Sequence, residues 1–243
     1  MRIISRLDIK SNLLIKSVKF DGVKKIGDPN IFAINYYNSG VDELMLVNNT
    51  GSLYNTKLDQ NLIKSIRKDK ALPITSGGGI KSLSDAISLI ESGSDKIVIN
   101  SLIHKNYKEA KKIINTLGSS SVVGSIQFDN KNGKFITLYE MAREFTRLSL
   151  TDTIEKYIDL GIGEILLTDI NRDGCYAGLN EKLIEILTEF KDKAPLLLSG
   201  GFFDKTEIKK FKKVVSGIVI SSAIHYNKIK LKEITNYNNK LGL

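Results

Sequence analysis

The residues best placed to do chemistry lie in a stretch that occurs twice. Ser76-Gly-Gly-Gly79 follows a short apolar run and precedes Lys96-Ile-Val-Ile-Asn-Ser101. Ser199-Gly-Gly201 follows another and precedes Gly217-Ile-Val-Ile-Ser-Ser222. Aligning Gly77 and Gly78 with Gly200 and Gly201 gives an offset of 123, and aligning Ser101 with Ser222 and His104 with His225 gives 121, about half of the 243 residues. Glycine at a strand end permits positive φ and lets a ligand reach the backbone. A strand, a Gly–Gly turn and a helix therefore present N–H groups to an anion. One such turn is weak evidence, because tight turns use glycine for shape alone. Two copies, each followed by a strand ending in Ser, point to two phosphate cradles facing one site. Gly78, Gly79, Asn100 and Ser101 would form one, and Gly200, Gly201, Ser221 and Ser222 the other. A small molecule phosphorylated at both ends would span them.

Composition narrows the function classes. The formal net charge is +9 and the Lys residues are dispersed. Lys209, Lys210, Lys212 and Lys213 flank Phe211 as a solvated helix face, and aromatics do not interleave with basic residues as in a single-strand binder. A phosphorylated small molecule accounts for the charge better than nucleic acid does. Cys175 is the only cysteine, which excludes an internal disulfide and suggests a reducing compartment. No apolar run reaches membrane-spanning length, and Met1-Arg-Ile-Ile-Ser-Arg6 lacks a signal-peptide core. A cytoplasmic protein with no membrane partner is expected. No metal motif and no nicotinamide fingerprint is present, so neither a metal nor a cofactor is expected.

The elements that must position these residues alternate along the chain. Apolar strands are predicted at Ile3–Asp8, Glu43–Asn48, Leu72–Ser76, Lys96–Ile99, Ser121–Gln127, Glu164–Asp169, Leu196–Ser199 and Gly217–Ile220, with amphipathic helices between them. Asp28-Pro29 and Ser82 with Asp85 are helix starts. A Lys-rich loop, Ile9–Gly27, has room for a hairpin, and Asp129-Asn-Lys-Asn-Gly133 opens another. Strands alternating with helices imply parallel pairing with right-handed crossovers. The half-length duplication favours closure over an open sheet. The expected fold is α/β, a single (β/α)8 TIM barrel over residues 1–243 made of two half-barrels, about 1–120 and 121–243. In such a barrel the loops after the strands build the site. Asp8, Asn48, Asn100, Ser101, Gln127, Thr168, Asp169, Asp173, Ser221, Ser222 and the glycines would share that rim.

These residues resemble a known family. Leu7-Asp-Ile-Lys10, Gly27-Asp-Pro29, Val41-Asp-Glu-Leu44, Ser76-Gly-Gly-Gly-Ile80, Asp95-Lys96 with Ile99-Asn100, Gly163-Glu-Ile-Leu-Leu-Thr168, Asn171-Arg-Asp-Gly174 and Ser199-Gly-Gly201 are similar, in order, to the cyclase subunit of imidazole glycerol phosphate synthase. The resemblance implies a phosphate-binding barrel that receives ammonia from a glutaminase subunit. The ammonia reacts with a ribulosyl nucleotide carrying two phosphates, in histidine biosynthesis. Carboxylates ending the first and fifth strands serve as acid and base there, which gives Asp8 and Gln127. Gln127 departs from that pattern, since an amide does not exchange a proton near neutral pH. Asp129, two residues on, would share its face if the strand continued. Asn48 stands where the family usually has Asp, and Cys175 where it usually has Thr. Lys16 occupies the family's loop-lysine position, for phosphate contact or as a solvated lysine.

Arg2, Glu43, Lys96 and Glu164 begin strands, at the positions of a salt-bridged ring that gates ammonia at the bottom of the family's barrel. Charged residues also commonly begin strands where the chain enters from solvent. Asp95 would be available for a salt bridge to the glutaminase. Lys16-Ser-Val-Lys-Phe20 ahead of Gly27-Asp-Pro29 looks like the paralogues associated with surface-glycan (LPS-type) synthesis, which are thought to supply ammonia to a sugar amidotransferase. The expected function is that of a glutaminase partner feeding nitrogen to a sugar. The alternatives are the orthodox cyclase, a related ribulosyl-phosphate isomerase, and a scaffold that only conducts ammonia. His104 and His225 read as structural.

Overall fold

The computed structural model describes residues 1–68 and 71–242. Its strands, in chain order, are β1 (Arg2–Lys10), β2 (Leu13–Val18), β3 (Asp21–Gly27), β4 (Glu43–Val47), β5 (Ile74–Gly77), β6 (Lys96–Ile99), β7 (Val122–Lys131), β8 (Lys134–Tyr139), β9 (Glu144–Ser149), β10 (Glu164–Asp169), β11 (Leu196–Ser199) and β12 (Gly217–Ile220). Eight of them pair in parallel in the order β1-β4-β5-β6-β7-β10-β11-β12, and β12 returns to β1 with Arg2 opposite Gly217. This is a closed (β/α)8 barrel. The apolar runs that read as strands are buried along nearly their whole length, as a sheet covered outside and filled inside requires.

Both expected hairpins form, and each extends a barrel strand upward. β1 continues antiparallel into β2 and β3, and β7 continues into β8 and β9. Phe20 sits in the β2–β3 turn with Lys19, both at positive φ. Glu140, Met141 and Ala142 in the β8–β9 connection are three successive non-glycine residues at positive φ. The two tips meet over the barrel mouth, where Phe20, Leu138, Met141 and Ile170 form a buried apolar cap. Between β10 and β11 a 3₁₀ turn, Glu181–Leu183, is followed by the helix Ile184–Phe190. The Asn180 side chain caps the turn by accepting from Lys182 N.

Side chains alternate across each barrel strand. Along β1, Ile4 points inward and joins Met45, Val98, Val123, Leu166, Leu197 and Val219 in a buried interior layer. Ile3 and Leu7 face outward into the larger core beneath the helices. Ser82 and Ser149 each make a capping box, with Asp85 and Asp152, that fixes where a helix begins.

His225, which is buried, and His104, which is half-buried, are partners of tyrosines. His225 Nδ1 lies 2.5 Å from Tyr36 Oη, and His104 Nε2 lies 3.2 Å from Tyr157 Oη. Each pair joins a residue of one half of the chain to a residue of the other. Burial pushes both imidazoles down from 6.5 to about 4, with Lys156 adding to the effect at His104. The folded protein therefore keeps both neutral while the unfolded chain protonates them near 6.5. Stability is full above that pH and falls as pH drops towards 4. By pH 5 each histidine should have cost about 2 kcal/mol. Urea unfolding at pH 7.5 and pH 5 measures this, and His225→Gln should remove about half of the loss.

Candidate functional site at the C-terminal rim

Two cavities open where the barrel strands end. The first, of about 70 Å³, is lined by Gly78, Gly79, Asn100 and Ser101 together with Arg6, Asn48 and Gln127. The second, of about 20 Å³, is lined by Gly200, Gly201, Ser221 and Ser222 together with Asp173 and Tyr176. The structure thus gathers each predicted phosphate cradle into its own cavity.

The two turns have the same construction. Gly78 and Gly200 have φ of +97° and +102°. A Cβ on Gly78 would lie 2.2 Å from Asn48 O, and one on Gly200 would lie 2.5 Å from Asp169 O. Gly79 and Gly201 are closed off in the same way by Thr56 O and Gly178 O. The equivalent pairs are therefore Gly78 with Gly200 and Gly79 with Gly201, an offset of 122, which corrects the alignment of Gly77 with Gly200. Asn100 and Ser221 share one backbone conformation, φ −136° with ψ −81° and −88°, just ahead of short helices. Both amide atoms of Asn100 and the Ser222 hydroxyl are buried with no protein partner. Buried polar atoms of this kind cost free energy unless something pairs with them. The Ser101 hydroxyl accepts from Glu140 N at 3.2 Å, and the Ser221 hydroxyl lies 3.1 Å from His225 Nε2.

Between the cavities runs a row of buried charges. Asp8 accepts from Arg6 Nε at 2.8 Å and lies 3.4 Å from Lys16 Nζ. Lys16 also contacts both oxygens of Asp173, at 3.0 and 2.9 Å. Burial would raise the Asp8 pKa, but the Arg6 and Lys16 charges outweigh it and hold the carboxyl below its ordinary value. Burial would lower the Lys16 pKa, but Asp173 and Asp8 outweigh it and keep the ammonium charged. Lys16 is thus no solvated lysine; it holds the first hairpin to the rim. Asp169 is the opposite case. Burial raises its pKa against the Asn180 hydrogen bond and the Arg172 charge, and its Oδ1 has no partner. Thr168 beside it has a buried, unpartnered hydroxyl.

Gln127 lines the first cavity, and its Oε1 accepts from Ala142 N at 2.7 Å, fastening the mouth loop. Asp129 does not line that cavity; its strand has turned into the hairpin with β8. The Asn48 side chain is spent within its own loop, donating to Thr56 and accepting from Thr50. Cys175 is half-buried, with its thiol 3.6 Å from Asp173 O. No cluster of His, Cys, Asp and Glu suited to a metal occurs among the described residues. No helix among them is long and apolar enough to cross a membrane.

The opposite rim carries the four expected strand-start charges in contact. Glu43 pairs with Arg2 at 2.8 Å and with Lys96 at 2.9 Å, and accepts from Thr75 at 2.6 Å. Glu164 pairs with Lys96 at 3.0 Å and closes the ring onto Arg2. Positive and negative groups alternate around it, the arrangement in which buried charges offset their desolvation. Asp95, expected to be free for a partner, already accepts from Ile74 N at 2.7 Å and pairs with Arg67.

Arg6 is the residue that sequence reading missed. Counting back by twos from Asp8 places Arg6 on the inner face of β1, which was signal enough. The mouth cap was also missed, because it is a contact between two loops distant in sequence.

Comparison with known proteins agrees with this geometry. The family described as histidine biosynthesis protein matches residues 2–230. The imidazole glycerol phosphate synthase subunit HisF of Legionella pneumophila is 36% identical over 202 residues, covering 83% of this chain and 95% of that protein. That of Thermococcus onnurineus is 32% identical over 248 residues, covering 100% and 96%. That of Pyrococcus furiosus is 30% identical over 245 residues, covering 100% and 96%. With its closed barrel and a match of this length, the chain belongs to the HisF family of imidazole glycerol phosphate synthase cyclase subunits.

Proposed function

We propose that this chain is the ammonia-receiving subunit of a glutamine-dependent complex, with its nitrogen destined for a sugar in surface-glycan synthesis. A glutaminase subunit docks on the face bearing the Arg2, Glu43, Lys96 and Glu164 ring. Ammonia crosses the barrel and is used at the rim or passed to a separate sugar amidotransferase. The observation that carries this reading is the contrast between the two rims. The ring is complete, whereas the proton-transfer pair has lost one member to Gln127 and has its other, Asp8, tied to Arg6 and Lys16. The orthodox cyclase of histidine biosynthesis is the second reading, favoured by the names of the relatives and opposed by Gln127. The isomerase reading has no use for the ring.

The rim ligand in this proposal is a phosphorylated small molecule held by the two cradles. Protein crystallised from phosphate or sulfate should carry an anion in at least one of them. Ser101→Asp places a like charge beside the first cradle. It should weaken a bisphosphate probe such as fructose 1,6-bisphosphate by more than about tenfold, since like charges about 4 Å apart near a protein surface repel by several kcal/mol. Calorimetry reads this, and unchanged affinity would remove the first cradle from the proposal. Bulky residues at Gly78 or Gly201 test the fold instead, because their Cβ atoms would strike backbone.

The reading is tested by reconstitution with a glutaminase subunit and a sugar amidotransferase. Glutamine-dependent transfer to a sugar should require all three components. Efficient formation of the imidazole product by this chain and its glutaminase alone would favour the second reading.

A further inference from the structure

Arg6 occupies an unusual place. On β1 the inward residues are Arg2 in the ring, Ile4 in the apolar interior layer, then Arg6 and Asp8. Arg6 therefore lies one level above the apolar layer, lining the first rim cavity with only 6% of its surface exposed. A guanidinium has five N–H donors. Nε donates to Asp8 and Nη2 donates to Asn49 Oδ1 at 2.7 Å. Nη1 has no hydrogen-bond partner among the described residues.

The rest of that cavity is arranged around the same charge. Its lining contains no aspartate and no glutamate; Arg6 is the one charged residue in it. Glutamine at 127 keeps the wall free of a carboxylate. The Asn100 amide, on the same wall, has a donor and an acceptor both unpartnered. A cavity with a glycine turn, an amide able to give and take one hydrogen bond, and a guanidinium with a free face offers three different contacts.

We propose that the first cavity takes a phosphorylated hydroxy acid, with its phosphate at Gly78, Gly79 and Ser101, its hydroxyl on Asn100 and its carboxylate on Arg6. The inference rests on the phosphate reading given above and adds the second anionic group. Guanidinium matches a carboxylate through paired, charge-assisted hydrogen bonds, which an ammonium does not reproduce. Asp8 is then the positioning residue of Arg6: it fixes Nε and leaves Nη1 to the ligand.

Two probes differing only at the far end test this, 3-phosphoglycerate and glycerol 3-phosphate, titrated calorimetrically into the whole protein at pH 7.5. The carboxylate-bearing probe should bind at least tenfold tighter. Arg6→Met should bring the ratio of the two affinities close to one. Gln127→Asp, which returns a carboxylate to the wall, should lower the ratio in the same direction and serves if Arg6→Met does not fold. Equal binding of both probes to the unaltered protein overturns the role of Arg6 and leaves the phosphate cradle standing. Failure of both to bind overturns the cradle and the inference together. A ratio unchanged in both variants also overturns the inference.

Discussion

Gln127→Asp should raise turnover of the ribulosyl bisphosphate intermediate with ammonium salt by about 10²-fold or more, the span typical of restoring one general acid–base group. The geometry favours the exchange. Gln127 already faces the rim cavity, and its one hydrogen bond, from Ala142 N, can be accepted equally by a carboxylate oxygen. The second oxygen would then face the ligand. Recovery should stop short of full cyclase activity, because Asp8 remains held by Arg6 and Lys16, and a carboxylate kept charged by two cations is a weak base. The measurement is single-turnover and steady-state formation of the imidazole product by both proteins. Unaltered protein that turns over as fast as Gln127→Asp would restore the histidine-pathway reading.

Lys96→Ala should uncouple nitrogen transfer from glutamine hydrolysis. Lys96 and Arg2 each touch both carboxylates of the ring. Removing Lys96 leaves two buried negative groups with one cation between them. The stability cost should be about 1–3 kcal/mol, less than for breaking an isolated buried pair, because Arg2 and Thr75 still serve Glu43. The larger effect is on the passage the ring surrounds. With the glutaminase bound over an interface of roughly 1,200–2,000 Å², glutamine should still be hydrolysed while transfer falls by about tenfold or more, the change that 1.4 kcal/mol produces. Added ammonium salt should rescue transfer at the rim. Coupling that survives the substitution would mean that ammonia takes another route.

The barrel was legible because its signals are local. Eight apolar runs and a half-length duplication need no knowledge of long-range contacts. The ring and most of the rim followed, because strand starts and strand ends fix position once the fold is known. Two kinds of feature were harder. Three consecutive glycines carry no register, so the match of Gly77 with Gly200 went wrong by one residue. It was corrected only by which Cβ meets which carbonyl oxygen. Arg6 and the mouth cap depend on what lies across the lumen. Phe20 and Met141 are far apart in sequence and meet through two hairpins whose tips adopt left-handed backbone that composition does not announce.

The glycine turns also bear on how such a site drifts between related chains. Gly78, Gly79, Gly200 and Gly201 are each pinned by a carbonyl oxygen within 2.5 Å of any added Cβ. Selection for folding alone is enough to retain them, whether or not a ligand is still bound. Asn100 and Ser222 are under no such compulsion, since their side-chain polar atoms have no hydrogen-bond partner in the protein. In a descendant that had abandoned its ligand, those two side chains would be the first free to become apolar, while the four glycines stayed in place as a fossil of the cradle.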